Sequence, residues 1–298
     1  DINLTDYEIC DSSGVLISLK NYDIKANSYL TLETSSLGFG INNVDEEISL
    51  YKESNLVDKF NVGRLVSNVS TGINDLGKKV YYKDITKNKE NSNNYFEGYS
   101  SLVNYSIDGG YVASGTQITL STSDDSEIYY TLDGSFPSKS SNKYTKPITV
   151  NKTMVIKAIS YKEDYLESDI ISRTFFVGRS HDLPVVSISS DNYNFFGSNG
   201  ILTNYKQNVN KIINFEYYEA DGKLGISFVG DTKLSGMDSR ERMQKSMSIY
   251  LRKEYGLKEI TYPFFRDSDT KTYSSFLLRN AGEDPKNIRI MDAVLTQT

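Results

Sequence analysis

At 298 residues the chain exceeds one typical domain, and about two or three are expected. Its 38% hydrophobic and 12% aromatic content excludes a disordered chain, and a net charge of −6 argues against wholesale nucleic-acid binding through a basic surface. One cysteine, Cys10, and one histidine, His181, exclude an internal disulfide framework, a cysteine-cluster metal site and a multi-histidine zinc site.

No run approaches the roughly 20 apolar residues of a spanning helix, so no membrane segment is expected. Asp1-Ile-Asn-Leu-Thr-Asp-Tyr7 is not a secretory signal. The sequons at Asn3, Asn68, Asn104 and Asn151 are what chance supplies in so asparagine-rich a chain.

Residues 1–100 carry short alternating runs between polar turns: Tyr29-Leu-Thr-Leu-Glu33, Glu47-Ile-Ser-Leu-Tyr51 and Leu56-Val-Asp-Lys-Phe60. An antiparallel sandwich is the expected fold. Asn3-Leu-Thr-Asp-Tyr-Glu-Ile-Cys-Asp11, the Tyr29 run, Glu46-Glu-Ile-Ser-Leu-Tyr-Lys52 and Leu56-Val-Asp58 follow one another in the order of a lamin-tail domain, which this region resembles. That family has strands before this point, so the resemblance implies a partial domain. Ser49-Leu-Tyr-Lys52 matches Ser-x-x-Lys only by chance, because it lies within a strand. Polar Lys87 to Asn94 reads as a linker or long loop.

Residues 101–178 have a cleaner pattern. Strands are expected at Gly115–Thr122, Glu127–Leu132, Lys146–Val150, Met154–Ser160 and Arg173–Val177, with Asp133-Gly-Ser-Phe-Pro137 as a turn. Ile128-Tyr-Tyr-Thr-Leu-Asp-Gly-Ser-Phe-Pro137, Tyr144-Thr-Lys-Pro-Ile148 and Ile156-Lys-Ala-Ile159 resemble the C-terminal domain of chitobiases and β-hexosaminidases, a fibronectin-III-like sandwich. The resemblance does not imply glycosidase activity, because the hydrolase barrel is absent. Asp133 reads as a turn residue, with a ligand- or metal-binding group as the alternative, and the tyrosines read as packed strand residues, with stacking on sugars of a cell-wall carbohydrate as theirs.

Residues 183–298 read as an α+β domain. Strands are expected at Val185–Ser189, Ile212–Tyr218, Leu224–Val229, Ser246–Leu251 and Ser274–Arg279. A helix opens at Asp284-Pro285 and places Ile288, Met291, Val294 and Leu295 on one face. Within this region Lys233, Arg240, Arg242, Lys245, Arg252, Lys253 and Lys258 form a cationic island in an acidic chain. His181 reads as part of the preceding linker.

Neither a Walker loop nor the His-Arg-Asp and Asp-Phe-Gly signatures of protein kinases occur. Lys245, at the start of an alternating strand, and Arg240 before it can aim cations at phosphate, or form the charged edge that guards a sheet. Leu183 to Ile188, Asn214-Phe-Glu-Tyr-Tyr-Glu-Ala-Asp-Gly222, Ser239-Arg240 with Gln244-Lys-Ser246, Tyr262-Pro-Phe264, Phe276-Leu-Leu-Arg-Asn-Ala-Gly282 and Ile288-Arg-Ile-Met-Asp292 follow the order of CotH-type proteins, the spore-coat family of atypical kinases.

The CotH resemblance implies an ATP- and Mg-dependent kinase that modifies surface or spore-coat proteins, with Lys245 and Arg240 on the nucleotide. It also implies that the match covers about the first half of such a domain, so the chain itself is expected to be inactive. Asp231 departs from the family pattern and weakens phosphate contact by the run Gly230–Gly236. Arg279 and Asp292 are read first as an ion pair orienting the helix. The competing expectation is a non-catalytic adhesion or interaction protein of the cell or spore surface. Across the chain the expected fold is mainly β: two immunoglobulin- or fibronectin-III-like sandwiches, then a partial α+β, kinase-like domain.

Overall fold

Alternating apolar and polar residues bounded by Gly, Asn and Asp turns produce a mainly β chain, as the sequence pattern predicts. The structure is a computed structural model describing residues 1–280 except 43, 45, 242, 266 and 267; the helix expected from Asp284, and Asp292 with it, lies outside the described residues. Among those residues no helix is long and apolar enough to cross a membrane. The chain divides into two compact units, Asp1–Tyr99 with Asp164–Leu166, and the remainder from Ser100 onward.

The first unit is built on a four-stranded antiparallel sheet whose largest strands are β1 (Glu47–Lys52) and β2 (Asn55–Asn61). Their tight turn holds Glu53 and Ser54 at positive φ, the backbone that two-residue hairpins require. Its core is small: Leu4, Leu19 and Leu37, with Leu30, Leu32 and Leu50 packed against them. The strand expected at Tyr29–Glu33 is not formed. Leu30 and Leu32 do turn inward, yet no neighbouring strand pairs with them, and a single helical turn, Thr34–Leu37, follows. Buried Glu46 ties loops together by accepting from the Ser12 amide at 2.8 Å and the Asn42 amide at 3.1 Å. The expected linker at Lys87–Asn94 is a loop fixed to this unit, for example by Asn91 donating to the Ile73 carbonyl at 3.2 Å.

The second unit contains two cores. One belongs to a sandwich in which β3 (Glu127–Thr131), β4 (Met154–Tyr161) and β5 (Ile171–Val177) lie side by side. Gly110–Val112 and Asn142–Lys143 flank these three strands on either side. Val103, Ile118, Leu120, Ile148, Val150, Ile156 and Phe175 fill its interior. The single strand expected at Gly115–Thr122 is broken: Thr116–Ile118 pairs with Ile148–Val150, whereas Leu120–Ser121 pairs with Asn104–Tyr105.

The other core lies on a five-stranded antiparallel sheet, in order β6 (Val185–Ser189), β7 (Lys211–Tyr218), β8 (Leu224–Ser235), β9 (Ser246–Tyr250) and β10 (Ser275–Leu278). Phe215 stacks on Phe228 at 4.8 Å and meets Phe276 edge-on at 5.2 Å, while Phe264 closes the cluster from a loop. Aromatic pairs in these geometries add about 0.5–1.5 kcal/mol each beyond their buried area. β8 runs well past Val229, where the strand was expected to end. Gly230 allows this, since a side chain there would meet the Tyr250 carbonyl of β9.

Candidate functional site

The cationic island divides into two groups. Asp231, expected in a loop, is a buried residue of β8, and its carboxylate accepts from Tyr255 Oη at 2.9 Å and Arg252 Nε at 3.4 Å. Burial, with the hydrogen bond to the Asp231 carboxylate, pushes the Tyr255 phenol above its ordinary range. Lys233 and Arg252 lie over the Tyr250 ring at 5.4 and 5.1 Å. Asp231 is therefore engaged by Arg252 and Tyr255 from the segment that follows β9, and the run Gly230–Ser235 is strand rather than phosphate loop.

The second group gathers where β8 ends. Gly236, at positive φ, turns the chain into a short 3₁₀ turn, Asp238–Glu241, that carries Arg240. Lys245 precedes the first residue of β9, half-buried, and its ammonium donates to the Arg240 carbonyl at 2.5 Å. The same ammonium lies 4.7 Å from the centre of the Tyr205 ring. An open cleft of about 360 Å³ is lined by Tyr205, Lys206, Gly236, Met237, Arg240 and Glu241. Arg240 Nε is buried without a hydrogen-bond partner among the described residues, which is costly. Lys206 lies 3.6 Å from Glu241 in an exposed ion pair.

Lys245 and Arg240, two of the residues singled out in sequence, are thus brought to one place. Two other motif fragments also meet: Ser246 Oγ donates to Asn280 at 2.8 Å, and Asn280 donates back to the Gln244 carbonyl at 2.6 Å. Sequence reasoning missed Tyr205 and Lys206, which come from an irregular segment without periodicity. Arg279 is exposed on the strand edge, and its expected partner lies outside the described residues.

No group of three or more His, Cys, Asp or Glu positioned to hold a metal occurs among the described residues. Asp133 closes its own turn, accepting from the Ser135 amide at 3.1 Å, and the Ser135 hydroxyl holds its carboxyl below the usual range. Tyr105 is packed, as the strand pattern predicts, and donates to the Ile171 carbonyl at 2.9 Å. His181 sits in an exposed loop and donates its amide to Tyr111 Oη at 3.0 Å.

The fold defines a mainly β chain. Residues 107–172 match the family model of the chitobiase/beta-hexosaminidase C-terminal domain, over the stretch that forms the sandwich of the second unit. No curated protein matches the chain.

Proposed function

We propose that residues 183–298 belong to a CotH-type phosphotransferase domain, set on β-sandwich modules and acting on surface or spore-coat proteins. In this reading Arg240 and Lys245 contact the phosphates of ATP, and residues 1–100 are a lamin-tail-like sandwich. The observation that carries it is Arg240, a cleft-lining residue whose buried Nε has no hydrogen-bond partner among the described residues and whose carbonyl holds the Lys245 ammonium. Arg240 in the lining of the cleft, with the Lys245 ammonium held at its carbonyl, suits a phosphate chain, which supplies several charged acceptors at once.

The described residues fit the phosphate part of Mg-ATP and not its metal part, since they offer no carboxylate set for Mg. Their own contribution is binding and orientation. Tyr205 walls the cleft and orders the Lys245 side chain, while the Arg240 carbonyl holds the ammonium until phosphate competes for it. A phosphoryl-transfer site also needs metal-holding carboxylates and an acidic group at the acceptor hydroxyl.

Titration of Mg-ATP against the chain tests this reading. Saturable binding that Lys245→Ala and Arg240→Ala each weaken supports it, and no binding, or binding indifferent to both changes, sinks it. The second reading is a non-catalytic surface adhesion protein that takes cell-wall carbohydrate through the sandwich, and the family match at residues 107–172 is compatible with a carbohydrate partner. Glycan binding by the chain together with silence toward nucleotide would select it.

A further inference from the structure

Two strands of the second unit are buried on both faces. In β4, Ile156 and Ala158 point into the sandwich core, while Lys157 points away from it and is nonetheless fully buried. In β7, Ile213 and Phe215 point into the aromatic core, while Glu216 and Tyr218 point away and are equally buried. The outward faces of β4, β5 and β7 meet in a polar seam between the sandwich and the five-stranded sheet.

The seam has its own hydrogen-bond logic. The Thr174 amide of β5 donates to the Glu216 carboxylate at 2.9 Å and to Tyr218 Oη at 2.8 Å, and Tyr218 Oη donates to the same carboxylate oxygen at 2.8 Å. A buried strand amide of the sandwich is therefore satisfied by side chains of the next sheet. Thr174 and Ser187 share a hydroxyl hydrogen bond of 2.7 Å, and the Phe136 amide donates to Asp191 at 2.7 Å.

Glycines set the approach. Gly109 and Gly110 both have positive φ; a side chain on the first would strike the Tyr218 hydroxyl, and one on the second the Gly222 carbonyl.

Lys157 is the anomaly in this seam. Its ammonium nitrogen donates to the Ser189 carbonyl at 3.3 Å and lies 3.9 Å from the centre of the Phe136 ring. Three carboxylates face it: Glu216 from β7, Asp191 from the turn before Asn192–Phe196, and Asp133 from the turn after β3. None forms an ion pair with it among the described residues, and Glu216 Oε1 is buried without a hydrogen-bond partner. A charged amine in such a place is poorly compensated.

We propose that this seam is a proton-sensitive joint: it locks sandwich and sheet into one cooperative unit while the Lys157 amine is neutral, and it loosens when that amine takes up a proton. Burial lowers the proton affinity of Lys157 from its ordinary 10.5 to about 7, with the three carboxylates opposing the shift. The unfolded chain keeps the proton up to the ordinary value. Between pH of about 7 and 10.5 the unfolded state thus holds more protons than the folded one, and stability rises with pH. Below that window both states are protonated, and the full cost of the buried charge is present.

The experiment uses the full chain, with calorimetric unfolding from pH 6 to 9 for wild type and for Lys157→Met, an uncharged side chain of similar length. Sandwich and sheet are expected to melt in one transition whose midpoint climbs with pH. Lys157→Met is expected to melt higher than wild type at pH 6, with the gap closing toward pH 9. Parallel pH profiles for the two proteins, or separate melting of sandwich and sheet in wild type, overturn the proposal.

Should Lys157→Met fail to fold, hydrogen exchange of wild type decides. The Thr174 amide must gain protection with pH, after correction for the intrinsic rate, and open together with the amides of β7; flat protection or independent opening overturns the joint. Gly110→Val, which wedges the seam without touching a charge, is expected to split the single transition into two, and an undivided transition counts against the joint.

Discussion

Two lysines of the second unit show how place decides what a charge does. Lys157 is sealed between two strands, with three carboxylates around it and its proton affinity depressed. Lys245 is half-buried at a strand end, steadied by the Arg240 carbonyl and the Tyr205 ring, beside an open cleft. Where water is excluded, an incompletely paired group carries its whole desolvation cost and becomes structural. Where water has access, the same chemistry is cheap to keep and available to a ligand.

The comparison can be broken first at the shared support of both sites. Phe215 in β7 stacks on Phe228 and is almost wholly buried, so Phe215→Ala is expected to cost about 3–5 kcal/mol in urea unfolding of the second unit. A smaller loss would mean that the aromatic cluster is not the core of that sheet. Next comes the seam itself. Glu216→Ala leaves the Tyr218 hydroxyl without its buried acceptor, at about 1–3 kcal/mol, while the Thr174 amide keeps Tyr218 Oη as its partner. Equal stability of this variant and wild type would show that water replaces the carboxylate at no cost.

At the cleft the expectation reverses. Lys245→Ala is expected to change stability by no more than about 1 kcal/mol, the size of a partly exposed cation–π contact. A loss as large as that of Glu216→Ala would make Lys245 a structural residue and remove the contrast.

The smallest effect belongs to the first unit. Hydrogen bonds from Ser12, reinforced by Asn42, hold the Glu46 carboxyl below its ordinary value of 4.5. Its stabilisation is present above that value and is lost as pH falls through the lower folded value. Glu46→Gln is therefore expected to flatten the acid limb of that unit's unfolding curve. An unchanged acid limb would assign acid unfolding to other carboxylates.

Much of the fold was legible because strand alternation and turn chemistry are local. The sandwich strands at Glu127–Thr131 and Met154–Tyr161 fall where the pattern puts them. The failures have physical causes. Leu30 and Leu32 alternate properly, yet a strand exists only where a partner offers a ladder. Gly230 and Asp231 look like loop residues, but a close backbone approach and two side-chain donors keep them in β8.

Lys157 and Glu216 stood in the quoted motifs without a role. Alternation alone would place both on a solvent face, and only the packing of the two sheets buries them. The cleft was half visible. Arg240 and Lys245 drew notice through their charge in an acidic chain, while Tyr205 and Lys206 reach the cleft from a segment with no pattern to read.

The most direct test of the phosphate site is calorimetric titration of Mg-ATP into the wild-type chain and into Lys245→Ala. Loss of a charge-assisted contact of about 1.5–3 kcal/mol predicts at least about tenfold weaker binding by the variant, with its unfolding midpoint nearly unchanged. Equal affinities, or no binding by wild type, would contradict the assignment of Lys245 and Arg240 to phosphate.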